Sequence, residues 1–114
     1  MNIFICGLIQ IFGVAAFAAS PVTSAPFSIQ QIRTGWASDS IAIVPPGSSV
    51  PAANNPAGCT NVDGYMTDST QPGYKTYYAA AMLASALNKQ VQVVISPSAC
   101  VATRPQIWGV YVNF

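Results

Sequence analysis

The apolar and polar positions of this chain change period several times, and each change marks an expected element. Val91, Val93 and Ile95 alternate with Gln92 and Ser96, the period of a half-buried strand. Ile107 to Val112 repeats the alternation, with Trp108, Val110 and Val112 on one side and Tyr111 on the other. Earlier, Phe27 to Trp36 carries Ile29, Ile32 and Trp36 among polar residues, and Ile41 to Val44 is a short apolar run. Ala37-Ser38-Asp39-Ser40 between them supplies turn chemistry, so the two read as a hairpin. Gly64 to Thr67 is a short third strand. Pro45 to Gly58 holds too many prolines for a central strand and is a loop.

Between the third and fourth strands, Tyr74 to Asn88 predicts a helix, with Asp68, Ser69 or Thr70 as N-cap and Pro72 near its start. This helix has almost no polar face. Lys75 is its only charge, and Tyr77, Ala81, Met82, Leu83, Ala84 and Leu87 spread around most of the wheel. A surface helix of a small domain normally pairs one apolar stripe with a charged face. A helix that buries one side on its own sheet and leaves the other apolar points to an assembly. The expected homo-oligomer interface is Tyr74, Tyr77, Tyr78, Ala81, Leu83 and Leu87.

The order strand, strand, strand, helix, strand, strand predicts a mainly β (α+β) domain. It fits an OB-fold-like, five-stranded, partly open barrel. A flat antiparallel sheet with one packed helix has the same order, and the barrel is preferred. Ahead of the domain, the apolar run from Ile3 to Phe17, followed by small residues, predicts a secretory signal peptide over 1–18. A membrane anchor is the rival reading, but the run is shorter than the roughly 20 residues that span a bilayer. Residues 19–26 read as a flexible Pro/Ser/Ala linker and 27–114 as a single domain. The chain is therefore expected to be secreted or periplasmic, with no stable membrane span once the signal is removed. Of its 3 cysteines, Cys6 leaves with the signal, and Cys59 and Cys100 form an even pair, the pattern of one disulfide.

Charge is scarce: 4 Lys and Arg against 3 Asp and Glu, with 0 His. No basic patch exists to neutralise a phosphate backbone, which argues against nucleic acid as a partner. Without His there is no Ser-His-Asp or Cys-His arrangement and no common zinc site. Asp39, Asp63 and Asp68 are better suited to turns and caps than to paired-carboxylate hydrolysis or calcium binding. The expectation is no catalytic residue, no metal and no cofactor. What remains suits recognition of a glycan or glycoprotein: aromatic faces beside short polar groups, the chemistry of a sugar-binding groove. Trp36, Ser38 and Asp39 form one expected recognition edge, and Asp63 with Tyr65 another.

An early hairpin, one disulfide, an Ala-rich helix and two closing strands behind a signal peptide resemble, in architecture, the B subunits of bacterial AB5 toxins of the subtilase-cytotoxin and typhoid-toxin type. Gln31-Ile-Arg-Thr-Gly-Trp36, Asp63-Gly-Tyr65, Pro72-Gly-Tyr-Lys-Thr-Tyr-Tyr-Ala-Ala-Ala81 and Trp108-Gly109-Val110 also look like segments of small secreted bacterial proteins without assigned function. The toxin resemblance implies a ring, with five copies the expected number, that binds host glycans beside a separate catalytic A-type chain. The alternative is a secreted structural or scaffold protein whose aromatics serve packing alone.

Overall fold

The computed structural model describes residues 19–35 and 38–114. The expected signal peptide over 1–18 and the candidate Trp36 lie outside the described residues. The fold is mainly β with one helix. Strands β1 (Val22–Thr23), β2 (Gln31–Thr34), β3 (Ser40–Val44) and β4 (Tyr65–Asp68) precede helix α1 (Tyr74–Ala86). Strands β5 (Gln90–Val101) and β6 (Arg104–Asn113) follow it. They form one 6-stranded sheet in the order β1-β5-β6-β4-β3-β2. Its pairs are antiparallel except β4 with β6, which run parallel at Met66 and Gln106. Among the described residues no helix is long and apolar enough to cross a membrane.

The five-stranded barrel is corrected by this sheet, which has one strand more and is not closed. Its two edges, β1 and β2, are consecutive in the chain and pair with β5 and β3, not with each other. Residues 24–30 join them; Phe27 still lies on β5 while the Gln30 N–H bonds Val44 O of β3 at 2.9 Å, and the three steps between span at most roughly 11 Å, so the sheet must curl to bring its edges near. Phe27 marks the crossing point, exchanging two backbone hydrogen bonds of 2.9 Å with Val91.

The segment read as a flexible linker thus supplies β1. Its composition gives no strand signal, but Ser24 is buried and its Oγ accepts the Val93 N–H at 2.9 Å. Strand β5 also extends past Pro97, where a stop was expected. The ladder is interrupted between Ile95 and Cys100, so the missing proline N–H leaves no rung broken. Ser96 Oγ takes the N–H groups of Ser98 and Ala99 instead, at 3.3 and 3.0 Å. A second irregularity sits opposite Val94 and Ile95, which pair with Gly109 and Ile107. The extra residue is Trp108. Ile107 is buried, whereas Trp108 is 44% exposed with its indole N–H on Gln106 Oε1 at 2.8 Å. The expected alternation, which put Trp108 with Val110, fails at this bulge.

Helix α1 covers one face of the sheet, packing mainly on β6. Ala81 and Ala84 are its buried residues, and Ala81 joins Ile43, Val50, Tyr65, Val93, Ile95 and Ile107 in the main core. The N-cap is Gly73, with no side-chain cap, where Asp68, Ser69 or Thr70 was expected. A Cβ on Gly73 would stand 2.6 Å from the Tyr77 ring and hydroxyl. Gly73 therefore leaves the space in which Tyr77 reaches back and donates to the Trp108 carbonyl at 2.8 Å, and a side chain there would push the ring aside. On the other face Ala42, Met66 and Val101 form a smaller cluster. The expected Cys59–Cys100 disulfide is present beside it.

One core residue breaks the rule that buried polar atoms are paired. Thr67 is fully buried, and its hydroxyl has no hydrogen-bond partner among the described residues. Leaving such a group unpaired costs about 1–3 kcal/mol. Thr67→Val keeps the shape and removes the hydroxyl, so it should stabilise the domain by about 1 kcal/mol. Its melting temperature should rise by about 4–8 °C. A melting temperature at or below the native value would show that the hydroxyl is paired.

Candidate functional site

At the end of the sheet where β2 turns into β3, the first turns of α1 face the turn across a groove of about 420 Å³. That volume lies within the roughly 300–1,000 Å³ of small-molecule sites. One wall is Thr34, Gly35, Ser38 and Asp39 and the other is Tyr74, Lys75 and Tyr78, with Ser40 and Ile41 also lining it.

Backbone contacts fix both walls. Gly35 has φ +101°, a conformation that favours glycine, and its N–H bonds Ser40 O at 3.2 Å. Ser40 Oγ donates to the Gly35 carbonyl. The carbonyl of Asp39 accepts the Ser69 N–H at 3.0 Å, tying the turn to the loop that enters the helix. Within that loop Asp68 takes the Thr70 N–H at 3.0 Å and the Thr70 hydroxyl. Gln71 then bonds back to Asp68 O at 3.0 Å, and Tyr74 to Gln71 O at 3.2 Å. The groove is framed by main chain, and its exposed side chains are left to meet a ligand.

Those side chains offer hydroxyls at Thr34 and Ser38, a carboxylate at Asp39, an ammonium at Lys75 and two tyrosine rings. Hydrogen bonds on one wall and aromatic faces on the other match a polyhydroxylated ligand with C–H surfaces. Ser38 and Asp39, expected with Trp36 as one recognition edge, both line this groove. Tyr74 and Tyr78, expected at an interface, form the facing wall. Thr34, Gly35 and Lys75 were not anticipated. Gly35 between a strand and a polar turn, and Lys75 as the only charge of an apolar helix, are the signals that could have found them.

Asp63 and Tyr65 lie elsewhere, and the structure does not bring them to the groove. Asp63 accepts from Arg104 Nε at 2.6 Å, from Arg104 Nη2 at 3.1 Å and from Arg33 Nη1 at 2.9 Å. The Arg104 hydrogen bond is the largest influence on its carboxyl and, with Arg33, holds the pKa below the ordinary value against the opposing effect of burial. Tyr65 is 1% exposed and packs on Phe27, ring centroids 5.9 Å apart. Burial pushes its phenol pKa up, while the hydrogen bond from Asn54 opposes the rise.

The expected interface residues also divide. Ala81 is buried within the chain, whereas Tyr77 is half-buried with its hydroxyl tied to the Trp108 carbonyl of the sheet. Tyr78, Met82, Leu83 and Leu87 are 38%, 45%, 46% and 51% exposed. They leave an apolar strip on the outer side of α1 that runs away from the groove. Among the described residues no three His, Cys, Asp or Glu side chains come together as metal ligands would. Comparison with protein-family models, with curated proteins and with solved structures finds no match to this chain.

Proposed function

We propose that the protein is a secreted, non-catalytic binding subunit that recognises a glycan in the groove between the β2–β3 turn and α1. The observation that carries this reading is the facing of Ser38 and Asp39 by Tyr74 and Tyr78 across one open groove. Hydroxyls and a carboxylate can share the hydrogen bonds of a sugar edge while tyrosine rings cover its C–H face. Lys75 adds a donor and a preference for ligands bearing an acidic group.

Self-association belongs to the same reading and uses a different part of the helix. The outer strip through Met82, Leu83 and Leu87 is the kind of exposed apolar surface that marks an interaction site. A second copy of the chain is its proposed partner. Ring formation, a separate catalytic chain and the likeness to toxin B subunits are extensions of this proposal.

Two variants test the parts separately. Asp39→Ala combined with Tyr78→Ala should weaken retention on a panel of neutral and acidic oligosaccharides by about ten-fold or more, about 1.4 kcal/mol. A native protein that binds none of the panel would overturn the glycan reading. Leu83→Asp should yield a folded monomer by native mass spectrometry, because an unpaired carboxylate cannot be buried in an apolar contact without a cost of several kcal/mol. A native monomer, or a variant that keeps an oligomeric mass, would overturn the assembly.

A further inference from the structure

At the opposite end of β3 and β4, roughly 13 Å along the strands from the groove at about 3.3 Å per residue, lies a second hollow of about 170 Å³. Its walls include Pro26, Pro45, Pro46, Pro51 and Phe27, and Tyr65, Asn54, Ser24 and Ser49 supply polar side chains, the Ser24 Oγ already accepting the Val93 N–H at 2.9 Å. Proline rings present C–H surface and no N–H, so the polar recognition available there rests on these four side chains, of which Tyr65 and Asn54 form a pair.

Tyr65 and Asn54 are 1% and 8% exposed, and Asn54 Nδ2 donates to the Tyr65 hydroxyl at 3.0 Å. Among the described residues that is the only side-chain hydrogen bond either residue makes. Tyr65 keeps its own proton to give, and the Asn54 carboxamide keeps its oxygen to receive. If the carboxamide is turned over, the tyrosine oxygen becomes the acceptor and the amide NH₂ the donor. Either way the buried pair keeps at least one donor and one acceptor side by side in a mostly apolar hollow. A secondary amide is the complement: its C=O takes the donor, its N–H meets the acceptor, and a small apolar cap fills the space between the prolines. At about 30 Å³ per water, the hollow holds five or six waters in volume, room for an acetamido group with part of what carries it.

We infer that the Tyr65–Asn54 hollow is a second binding site, for an N-acylated small molecule held by its acetamido group. It stands apart from the groove and does not depend on the glycan reading of that groove.

The test is an NMR titration of the oxidised, ¹⁵N-labelled protein, following the Asn54 side-chain amide. The probes are N-acetylglucosamine, N-acetylalanine methylamide and glucose. One or both acetamido probes should shift the Asn54 signal while glucose does not, and which of them binds tells whether a sugar or an amino-acid carrier is accepted. Tyr65→Phe keeps the buried ring and removes the hydroxyl, and should weaken that binding by about ten-fold while the fold, read from the rest of the spectrum, is kept. The same shifts should persist in the Asp39→Ala, Tyr78→Ala protein, which separates failure of this site from failure of the groove. No shift with either acetamido probe, an equal shift with glucose, or native affinity in a folded Tyr65→Phe protein would overturn the inference.

Discussion

Replacing both Cys59 and Cys100 by serine is expected to cost the domain about 4 kcal/mol, the largest loss of any change considered. The bridge spans a sequence separation of 41 residues. Cutting it returns that loop's closure entropy to the unfolded chain, which is where most of the effect arises in the chain-entropy account. For a domain of this size the melting temperature should fall by about 15–30 °C. Native contacts add a reason to expect the full value. The segment around Cys59 belongs to no strand or helix, and the Asn55 carboxamide bonds both backbone groups of Cys59, at 2.8 and 2.9 Å. It is held to the β5–β6 hairpin tip by the bridge, by Asn61 on the Thr103 hydroxyl at 2.6 Å and carbonyl at 3.0 Å, and by Asp63 on Arg104. Thermal denaturation of the double serine protein, monitored by circular dichroism, measures the loss. A change below about 1 kcal/mol would mean that these remaining contacts, and not the bridge, set the position of the loop.

The disulfide was legible in the chain because two cysteines of a small domain remain after the apolar N-terminal run is set aside. The central elements were legible for a different reason. Ile41 to Val44, Tyr65 to Thr67, Tyr74 to Ala86 and Val91 to Ile95 each carry a period or an apolar run that survives in the sheet and helix. Beyond them, local pattern was overridden by tertiary partners. Val22 and Thr23 form a strand because β5 offers an edge and Ser24 completes the contact, which Pro/Ser/Ala composition does not announce. Strand β5 passes Pro97 because the ladder is already broken there. Trp108 leaves the expected face because a bulge adds one residue to β6, and a period-2 argument cannot survive an inserted residue.

The groove was half legible. Ser38 and Asp39 stood out as polar groups in a turn, and Tyr74 and Tyr78 as aromatics on a helix, but nothing local says that the turn and the helix face each other. That meeting depends on the Asp39 carbonyl receiving the Ser69 N–H, a contact between main-chain atoms to which side-chain identity gives no clue. Tyr65 was misleading for a related reason. A tyrosine next to Asp63 at the start of a short strand reads as exposed, yet Tyr65, Met66 and Thr67 of β4 are all buried, both faces of the strand being covered, while Asp63 lies ahead of the strand at the surface.

Asp63 is the site of the second large effect. Its carboxylate receives N–H groups from Arg104, whose side chain is 8% exposed, and from Arg33, joining the start of β6 to β2. Asp63→Asn removes the charge that holds both guanidinium groups while keeping the size of the side chain. Hydrogen bonds to charged groups contribute about 1.5–3 kcal/mol. The Asp63 side chain is 35% exposed, so solvent screening lowers the expectation to about 2 kcal/mol near neutral pH. The pH dependence identifies the cause. Pairing lowers the folded pKa from the ordinary value of 3.8, so the unfolded chain takes up the proton first as pH falls. The charge-dependent stability is therefore complete above 3.8 and drains away as pH drops through the lowered folded value. Urea denaturation of the native and Asp63→Asn proteins should show a gap of about 2 kcal/mol near neutrality. That gap should close in strong acid, where the native carboxyl is itself neutral. A gap that stays constant into strong acid would assign the loss to packing and not to the ion pairs. If there is no gap at neutrality, the disulfide, Asn61 and the 2.7 Å Val50–Val62 hydrogen bond hold the loop without the ion pairs.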